Sequence, residues 1–529
     1  MRASVGRGPV DARSDVEPAG PGHATAPAPG RGEVPQWSVV TDMAEATARL
    51  HALVAAAPTA QLAAAFTAAG HELALVGGPV RDAFLDRPVT DLDFASSATP
   101  DEILAIIGPL ADATWDVGRE FGTIAARIGD ADVEITTYRA DTYDGVSRKP
   151  SVAFGDTLEG DLVRRDFTVN AMALRVTPPR GGAAGGTGGA DASPQLVDVG
   201  GGLEHLLQGV LDTPQAPERS FDDDPLRMMR AARFAAQLGF TVAPRVVTAM
   251  TDSAGRIRDI SAERVRDELS KLLLTAAPVP GVRLLTETGI LDEVLPEVPA
   301  LRLEADEHAH HKDVYEHSLT VLQQGIDLEA KRNPGAAPDL VSRLAGLLHD
   351  IGKPATRRIE GRVVTFHQHD LVGARMAKQR LKALRFDNDT VKSVARLVEL
   401  HLRFYGYGEQ AWTDSAVRRY VRDAGPLLER LHILTRSDVT TRNRRKAEQL
   451  DFAYDDLERR IAELREQEEM DAVRPDLDGN AIQAILGIGP GRAVGEAYRM
   501  LLEHRLEHGP SDPAEAERVL REWWAAREA

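Results

Sequence analysis

The sequence predicts an α+β chain in which one mixed α/β region, residues 41–215, is followed by helices to the end. Three observations predict it. Short apolar or alternating runs, "LALV", "DLDFA", "DVEITTYR" and "LVDV", have the pattern of buried and half-buried strands. From Pro217 onward the apolar period becomes helical, as in "DPLRMMRAARFAAQLGF" and "SAERVRDELSKLLLT". Aromatic residues make up only 5% of a chain rich in Ala and Leu, which favours helix. At 529 residues the chain exceeds one core, and roughly 150 residues per domain suggests three or four domains.

Residues 1–40 are rich in Pro, Gly and Ala and are expected to be a disordered extension. Ala52 to Gly70 carries no charge, but Pro58, Gln61 and many alanines make it a buried or amphipathic helix, not a membrane span. The run "TPPRGGAAGGTGGADASPQ" (177–195) is a Gly-rich loop expanded inside the first domain, because apolar pattern resumes after it. Pro296, Pro299, "NPGAAP" (333–338) and "RPDLDG" (474–479) stop helices. They divide the remainder into regions 216–300, 301–448 and 449–529.

There is no cysteine, which suits a reducing cytoplasm and leaves metal binding to His, Asp and Glu. A net charge of -18 argues against a surface that coats nucleic acid unselectively, though not against a local basic groove. Two basic patches stand out, residues 353–385 and 417–446.

The stretch "LALVGGPVRDAFLDRPVTDLDFA" (73–95) carries the first candidate site. Gly77 and Gly78 let the backbone turn after a strand, and Pro79 can open a helix whose free N–H groups, with Arg81, suit a phosphate. Asp91 and Asp93, two apart on a strand, would point to one face while Leu92 and Phe94 face the core. Carboxylates that close repel unless cations neutralise them, and Mg²⁺ favours a few carboxylates with phosphate oxygens. Glu134 on another predicted strand offers a third. In "LVRRDFTVNAMAL", Arg164 and Arg165 could neutralise a triphosphate, and Asp166 and Asn170 could bind ribose hydroxyls.

The runs Gly77 to Asp82, Asp91-Leu92-Asp93 and Arg164 to Ala173 resemble class II tRNA nucleotidyltransferases, the CCA-adding enzymes of the polymerase β superfamily, and the related bacterial poly(A) polymerases. "DVGGGLEHL" (198–206), "DDPLRMMRAARFAAQLGF" (223–240) and "ISAERVRDEL" (260–269) extend the resemblance over residues 72–275. It implies a polymerase-β-like nucleotidyltransferase sheet domain and a helical nucleotide-selecting neck. It further implies Mg²⁺ at Asp91 and Asp93 with Glu134 as third carboxylate. Nucleotide would be bound by Gly77, Gly78, Arg81, Arg165, Asp166, Asn170, Asp224, Arg227 and Arg230. Asp224 and Arg227 match the pair that reads the Watson-Crick edge of CTP and ATP, although an i, i+3 salt bridge has the same spacing. Val199 and His205 depart from the family pattern, which more usually has Pro and Asp there.

A second constellation, "DVYEHSL", "LAGLLHDIGKP", "FHQHDLVGARM", "LVELHLRF" and "LTRSDVTTRN", supplies His317, His349, Asp350, His369, His401 and Asp438 on predicted helices. It resembles the HD superfamily of metal-dependent phosphohydrolases over residues 301–445. That implies His317, His349, Asp350 and Asp438 as ligands of a divalent transition metal, with His369 and His401 available for a second. A structural, inert HD module is the alternative. The tail reads as amphipathic helices with acidic faces, and "LDGNAIQAILGIGPGRAVGEAYRMLL" resembles the family's C-terminal tail, whose implied role is holding the tRNA body.

The expected activity is addition of C, C and A to the tRNA 3′ end from CTP and ATP in the cytoplasm, without a membrane. The rivals are a poly(A) polymerase, a partial CC- or A-adding enzyme, and an HD phosphohydrolase with a regulatory nucleotide-binding domain.

Overall fold

The computed structural model describes residues 43–528 except 90, 117, 142–151, 155–156, 179–194, 304–312, 361–362, 405–406, 408–411, 440–442 and 469–473. The expected N-terminal disorder and nearly all of the 177–195 loop lie outside the described residues.

A seven-stranded mixed sheet forms the head. Its strands are β1 (Leu73–Val76), β2 (Leu92–Ser96), β3 (Ala113–Trp115), β4 (Thr123–Ile128) and β5 (Ala131–Thr137); β6 (Arg139–Asp141) and β7 (Val152–Phe154) pair separately; β8 (Met172–Arg175) and β9 (Gln195–Asp198) complete the sheet. The order is β3-β4-β5-β2-β1-β8-β9. Alternation holds where the sequence predicts it: Leu92 and Phe94 are buried while Asp93 is half-buried, and Val133 and Ile135 are buried while Glu134 is exposed. β2 starts at Leu92, so Asp91 stands just before the strand instead of on it.

Ala52 to Gly70 is not one helix. Helices Met43–Ala55 and Ala57–Ala68 meet at 64°, with Pro58 in the first turn of the second, where its missing N–H costs nothing. Among the described residues no single helix is long and apolar enough to cross a membrane. Leu62 and Phe66 are buried in the head core.

Helix α1 (Gly78–Phe84) follows β1, and the neck contributes α2 (Leu226–Leu238) and α3 (Ala262–Leu273). Beyond them come α4 (Val314–Arg332), α5 (Leu340–Leu348), α6 (His369–Ala383), α7 (Asn388–Leu400) and α8 (Leu428–Ser437). The tail holds α9 (Arg444–Glu468), α10 (Gly479–Leu486), α11 (Arg492–His508) and α12 (Pro513–Glu528), the last three around a small core of Leu477, Ile482, Ala497, Leu501, Ala516 and Leu520. The second half is not purely helical: Arg358–Glu360 and Val363–Thr365 form a hairpin.

One main core runs from Ala46 to Leu464 through head, neck and HD region. In the neck, Arg233 on α2 meets Glu268 on α3 at 2.6 Å, with both side chains buried or nearly so. The Arg233 guanidinium also stacks 4.0 Å from the Phe234 ring centroid. Removing one member of a buried pair strands the other charge, typically at ~3–5 kcal/mol. Glu268→Ala is therefore expected to lower the melting temperature clearly, whereas an unchanged melting curve would mean that Arg233 reaches water.

Candidate nucleotidyl-transfer and metal sites

Gly77 ends β1 at φ +73°, a conformation that a side chain disfavours, and its added Cβ would lie 3.2 Å from an Arg165 nitrogen. The chain then enters α1, whose first turn contains Pro79. β2 and β5 run parallel with Asp93 opposite Glu134, so these carboxylates are neighbours on one face, on strands about 4.8 Å apart. Burial, Glu134 and Asp91 push the Asp93 pKa up to about 6 despite the opposing charges of Arg165 and Arg81. The exposed Asp91 does not close with them into a cluster: among the described residues, the groups of three or more His, Cys, Asp or Glu whose ligand atoms all lie within 4.8 Å of one another are in the HD region. Carboxylates so placed fit a hard divalent ion by charge and chemistry.

Arg81 and Asn170 face inward. Arg81 is 5% exposed, is paired with Asp82 at 2.8 Å, and donates to Asn170 Oδ1 at 2.6 Å. Asn170 donates to Asp166 at 3.1 Å, and Asp166 accepts two bonds from Arg230 on α2, at 2.8 and 2.5 Å. Burial would raise the Asp166 pKa, but Arg230 and Asn170 outweigh it and hold it at about 2. Arg81, Asn170, Asp166 and Arg230 thus form one network joining head to neck, and their free hydrogen-bonding capacity for a nucleotide is small. Arg165 is half-buried and paired with Asp161 at 3.1 Å.

On the neck, Arg227 donates to Ser220 Oγ at 2.9 Å and to the Arg164 carbonyl at 2.8 Å, which aims the guanidinium. Asp224 accepts from Leu226 N at 3.1 Å and from Arg264 on α3 at 2.7 Å. The side chains of Asp224 and Arg227 therefore turn to separate partners, unlike a simple i, i+3 bridge. Sequence reasoning missed Arg264, which lies in "ISAERVRDEL" 40 residues from Asp224 with no local signal linking them. The following loop is held by Asp198, which accepts from Gly202 N and Leu203 N at 2.8 and 2.9 Å. His205, unusual in the family pattern, contacts Thr168 Oγ1 at 2.8 Å.

All six predicted HD residues come together. His317 lies on the second turn of α4; His349 and Asp350 follow α5; His369 starts α6; His401 and Asp438 cap α7 and α8. His317, His349 and Asp438 form one ligand group and Asp350, His369 and His401 another. Asp350 links them: Oδ2 lies 3.2 Å from His349 and 3.5 Å from His317, while Oδ1 lies 3.3 Å from His369 and 3.9 Å from His401. The Nδ1 atoms of His349, His369 and His401 donate to the carbonyls of Gly346, Phe366 and Val398 at 2.9, 2.8 and 2.6 Å. That turns each Nε2 toward the centre. The buried His401 Nε2 has no hydrogen-bond partner, the orphaned lone pair expected of a metal ligand. Burial lowers the His349 pKa, but Asp350 and Asp438 outweigh it and raise it to about 9; burial and the His349 charge lower His401 to about 4. Lys353, one turn after Asp350, binds it at 2.6 Å and was not singled out from the sequence.

The second basic patch is largely neutralised inside the chain. Arg419 pairs with Glu507 at 2.7 Å and Arg422 with Glu503 at 3.2 Å, both on α11.

A glycine-cornered sheet carrying three carboxylates, joined to an Asp/Arg-bearing neck and a His/Asp centre, defines a nucleotidyltransferase with an appended HD domain. Residues 73–212 match the poly A polymerase head domain, 239–301 the probable RNA and SrmB-binding site of polymerase A, and 314–443 the HD domain. The chain is 34% identical over 459 residues to the A-adding tRNA nucleotidyltransferase of Deinococcus radiodurans, covering 85% of this chain and 95% of that protein. It is 34% identical over 297 residues to the CCA-adding enzyme of Geobacillus stearothermophilus, covering 54% and 68%. The crystal structure of the Bacillus stearothermophilus CCA-adding enzyme with CTP superposes with a TM-score of 0.59 at 26% identity, covering 89% of this chain and 98% of that one. The chain belongs to the tRNA nucleotidyltransferase family.

Two predictions follow from the geometry. The folded pKa of Asp93, about 6, lies above its unfolded value near 3.8, so the group favours the folded state when protonated and loses that contribution as pH rises through 6. A cation must displace that proton, so Mg²⁺ is expected to raise the melting temperature more at pH 7.5 than at pH 5, with Asp93→Asn abolishing the difference. Equal shifts at both pH values would contradict Asp93 as a ligand. In the HD centre, a Cβ on Gly352 would lie 2.1 Å from the His369 carbonyl oxygen and 2.7 Å from Gly373 N, both backbone atoms. Gly352→Ala is expected to cost ~1–3 kcal/mol and to displace His369 from Asp350, read as weaker transition-metal binding by titration.

Proposed function

We propose that this enzyme builds or repairs the 3′-terminal CCA of tRNA from CTP and ATP, with Mg²⁺ held by Asp91, Asp93 and Glu134. The observation that carries the reading is the Asp93–Glu134 register on one sheet face, with Asp224 and Arg227 on a neck that Arg230 fastens to Asp166 of the same head. The tRNA 3′ hydroxyl attacks the α-phosphate and pyrophosphate leaves. The bound cation supplies charge neutralisation and a more acidic hydroxyl. Asp93 and Glu134 would hold it, with Asp91. Asp224 accepts from the exocyclic amine shared by C and A, and Arg227 donates to the ring acceptors, so GTP and UTP present the wrong pattern.

Addition of the terminal A alone is the second reading. It is favoured by the Deinococcus radiodurans relative, which is matched over 95% of its length and is named A-adding. The HD centre is proposed to act as a transition-metal phosphohydrolase, with His317, His349 and Asp438 around one ion and Asp350, His369 and His401 available for a second.

The test supplies CTP and ATP, separately and together with Mg²⁺, to tRNA ending before CCA, after C and after CC. C, C and one A followed by a stop is the expected result; A only after CC would establish the second reading, and a long A run would make this a poly(A) polymerase. His349→Ala with Asp350→Ala should leave addition intact, and its loss in a folded chain would contradict two separate centres.

A further inference from the structure

Among the described residues three aromatic rings are exposed, and two of them lie in one hairpin of the head. Trp115, 46% exposed, ends β3, and Phe121, 54% exposed, stands in the turn that leads to β4. The third, Phe452, is on α9. Tryptophan is highly buried on average, so an indole this open on an edge strand contributes little to packing.

The sheet register gives the ring its meaning. Trp115 stands opposite Ala125 on β4, Ala125 opposite Glu134 on β5, and Glu134 opposite Asp93 on β2. Directly opposed residues share a face, so these four form one row across the face that carries the carboxylates. Two strand spacings, about 10 Å, separate Trp115 from Glu134. The small Ala125 between them leaves that span low. Arg127, the cation of β4 on the same face, is held by Asp132 at 2.8 Å, so this part of the face offers a ring in place of a free charge.

Strand order decides what lies over that span. β1 pairs with β2 beside Asp93, through Leu75 opposite Phe94, and ends at the Gly77 corner. Arg227 and Arg230 fasten the neck to Arg164 and Asp166, which lead into β8, the next strand beyond β1. A nucleotide read by Asp224 and Arg227, with its phosphates at the Gly77 turn, lies on the β1 side of Asp93. Attacking and leaving oxygens stand roughly in line across the α-phosphorus, so the attacking 3′ hydroxyl comes from the other side, over β5, β4 and β3.

We propose that Trp115 is the stacking platform for the base of the primer's last nucleotide, holding the tRNA 3′ end so that its hydroxyl meets the α-phosphate over Asp93 and Glu134. The inference rests on those two carboxylates being the metal site of nucleotidyl transfer. An aromatic face accepts either C or the base before CCA, because every base has a π-face, so the platform serves each round of addition without reading sequence.

The test uses the full chain and the variants Trp115→Ala and Trp115→Phe with tRNA ending in CC, which the CCA-adding and the A-adding reading both extend with A. Trp115→Ala is expected to lower kcat/KM for tRNA by roughly tenfold, the effect of losing one stacked base, with KM for ATP unchanged and Trp115→Phe close to the unaltered chain. A primer whose last nucleotide lacks its base should lose as much with the unaltered chain and nothing further with Trp115→Ala, the non-additivity expected of two groups in contact. Unchanged kcat/KM in Trp115→Ala, or equal losses from the missing base in both proteins, would overturn the platform. Binding is read apart from turnover with 2-aminopurine in place of the terminal C: quenching by the unaltered chain but not by Trp115→Ala supports the contact, and equal quenching overturns it. Addition that survives Asp93→Ala would instead sink the metal reading, and the quenching would still decide the platform.

Discussion

The Asp166 carboxylate is the constraint on which the rest of the nucleotidyl-transfer site depends. It is buried, accepts from Asn170 in the head, and takes both bonds of the Arg230 fork from α2. Through Asn170 it reaches Arg81 on α1, directly after the Gly77 corner. A charged fork on a fixed carboxylate leaves little angular freedom. This ion pair and its amide neighbour therefore help to fix how Asp93 and Glu134 of the sheet stand relative to Asp224 and Arg227 of the neck, together with the bond from Arg227 to the Arg164 carbonyl. Phe234 reinforces the seam, lying within 5.8 Å of the Phe167 ring and between the guanidinium groups of Arg81, Arg230 and Arg233.

The two centres solve the problem of buried charge differently. In the head, like charges lie in register, and burial with the neighbouring carboxylates raises the Asp93 pKa to about 6. In the HD region, imidazoles and carboxylates alternate, so His349 takes up positive charge while Asp350 and Asp438 stay ionised. The first arrangement favours a hard ion brought with phosphate, the second a borderline ion that nitrogen ligands can retain. Histidine rings aimed by backbone carbonyls give the HD centre its convergence before any ion binds.

Much of this was legible in the sequence, because it rests on local period. The alternation around Asp93 and Glu134, the change to helical spacing after Pro217, and the His and Asp stations at helix ends all survive in the structure. What was not legible depends on pairs distant in the chain. Nothing near Asp93 says that Glu134 stands opposite it, and nothing near Arg419 says that Glu507, 88 residues on, neutralises it. Arg81 and Asn170 read as ligand-binding residues by type, but their partners lie 89 residues apart from each other and turn both inward. The break at Pro58 was visible as a residue but not as a 64° bend, because proline is equally content in the first turn of a new helix.

The measurement that tests this account most directly is single-turnover incorporation by Asp166→Asn, with CTP and UTP compared on the same tRNA. The substitution keeps the shape and a hydrogen-bonding side chain but removes the charge that holds Arg230. The account predicts an intact fold by circular dichroism, a loss of CTP incorporation of at least tenfold, and a narrowed preference for CTP over UTP as the neck loses its seat on the head. Full CTP incorporation with undiminished discrimination would contradict the claim that this carboxylate sets the geometry of the site.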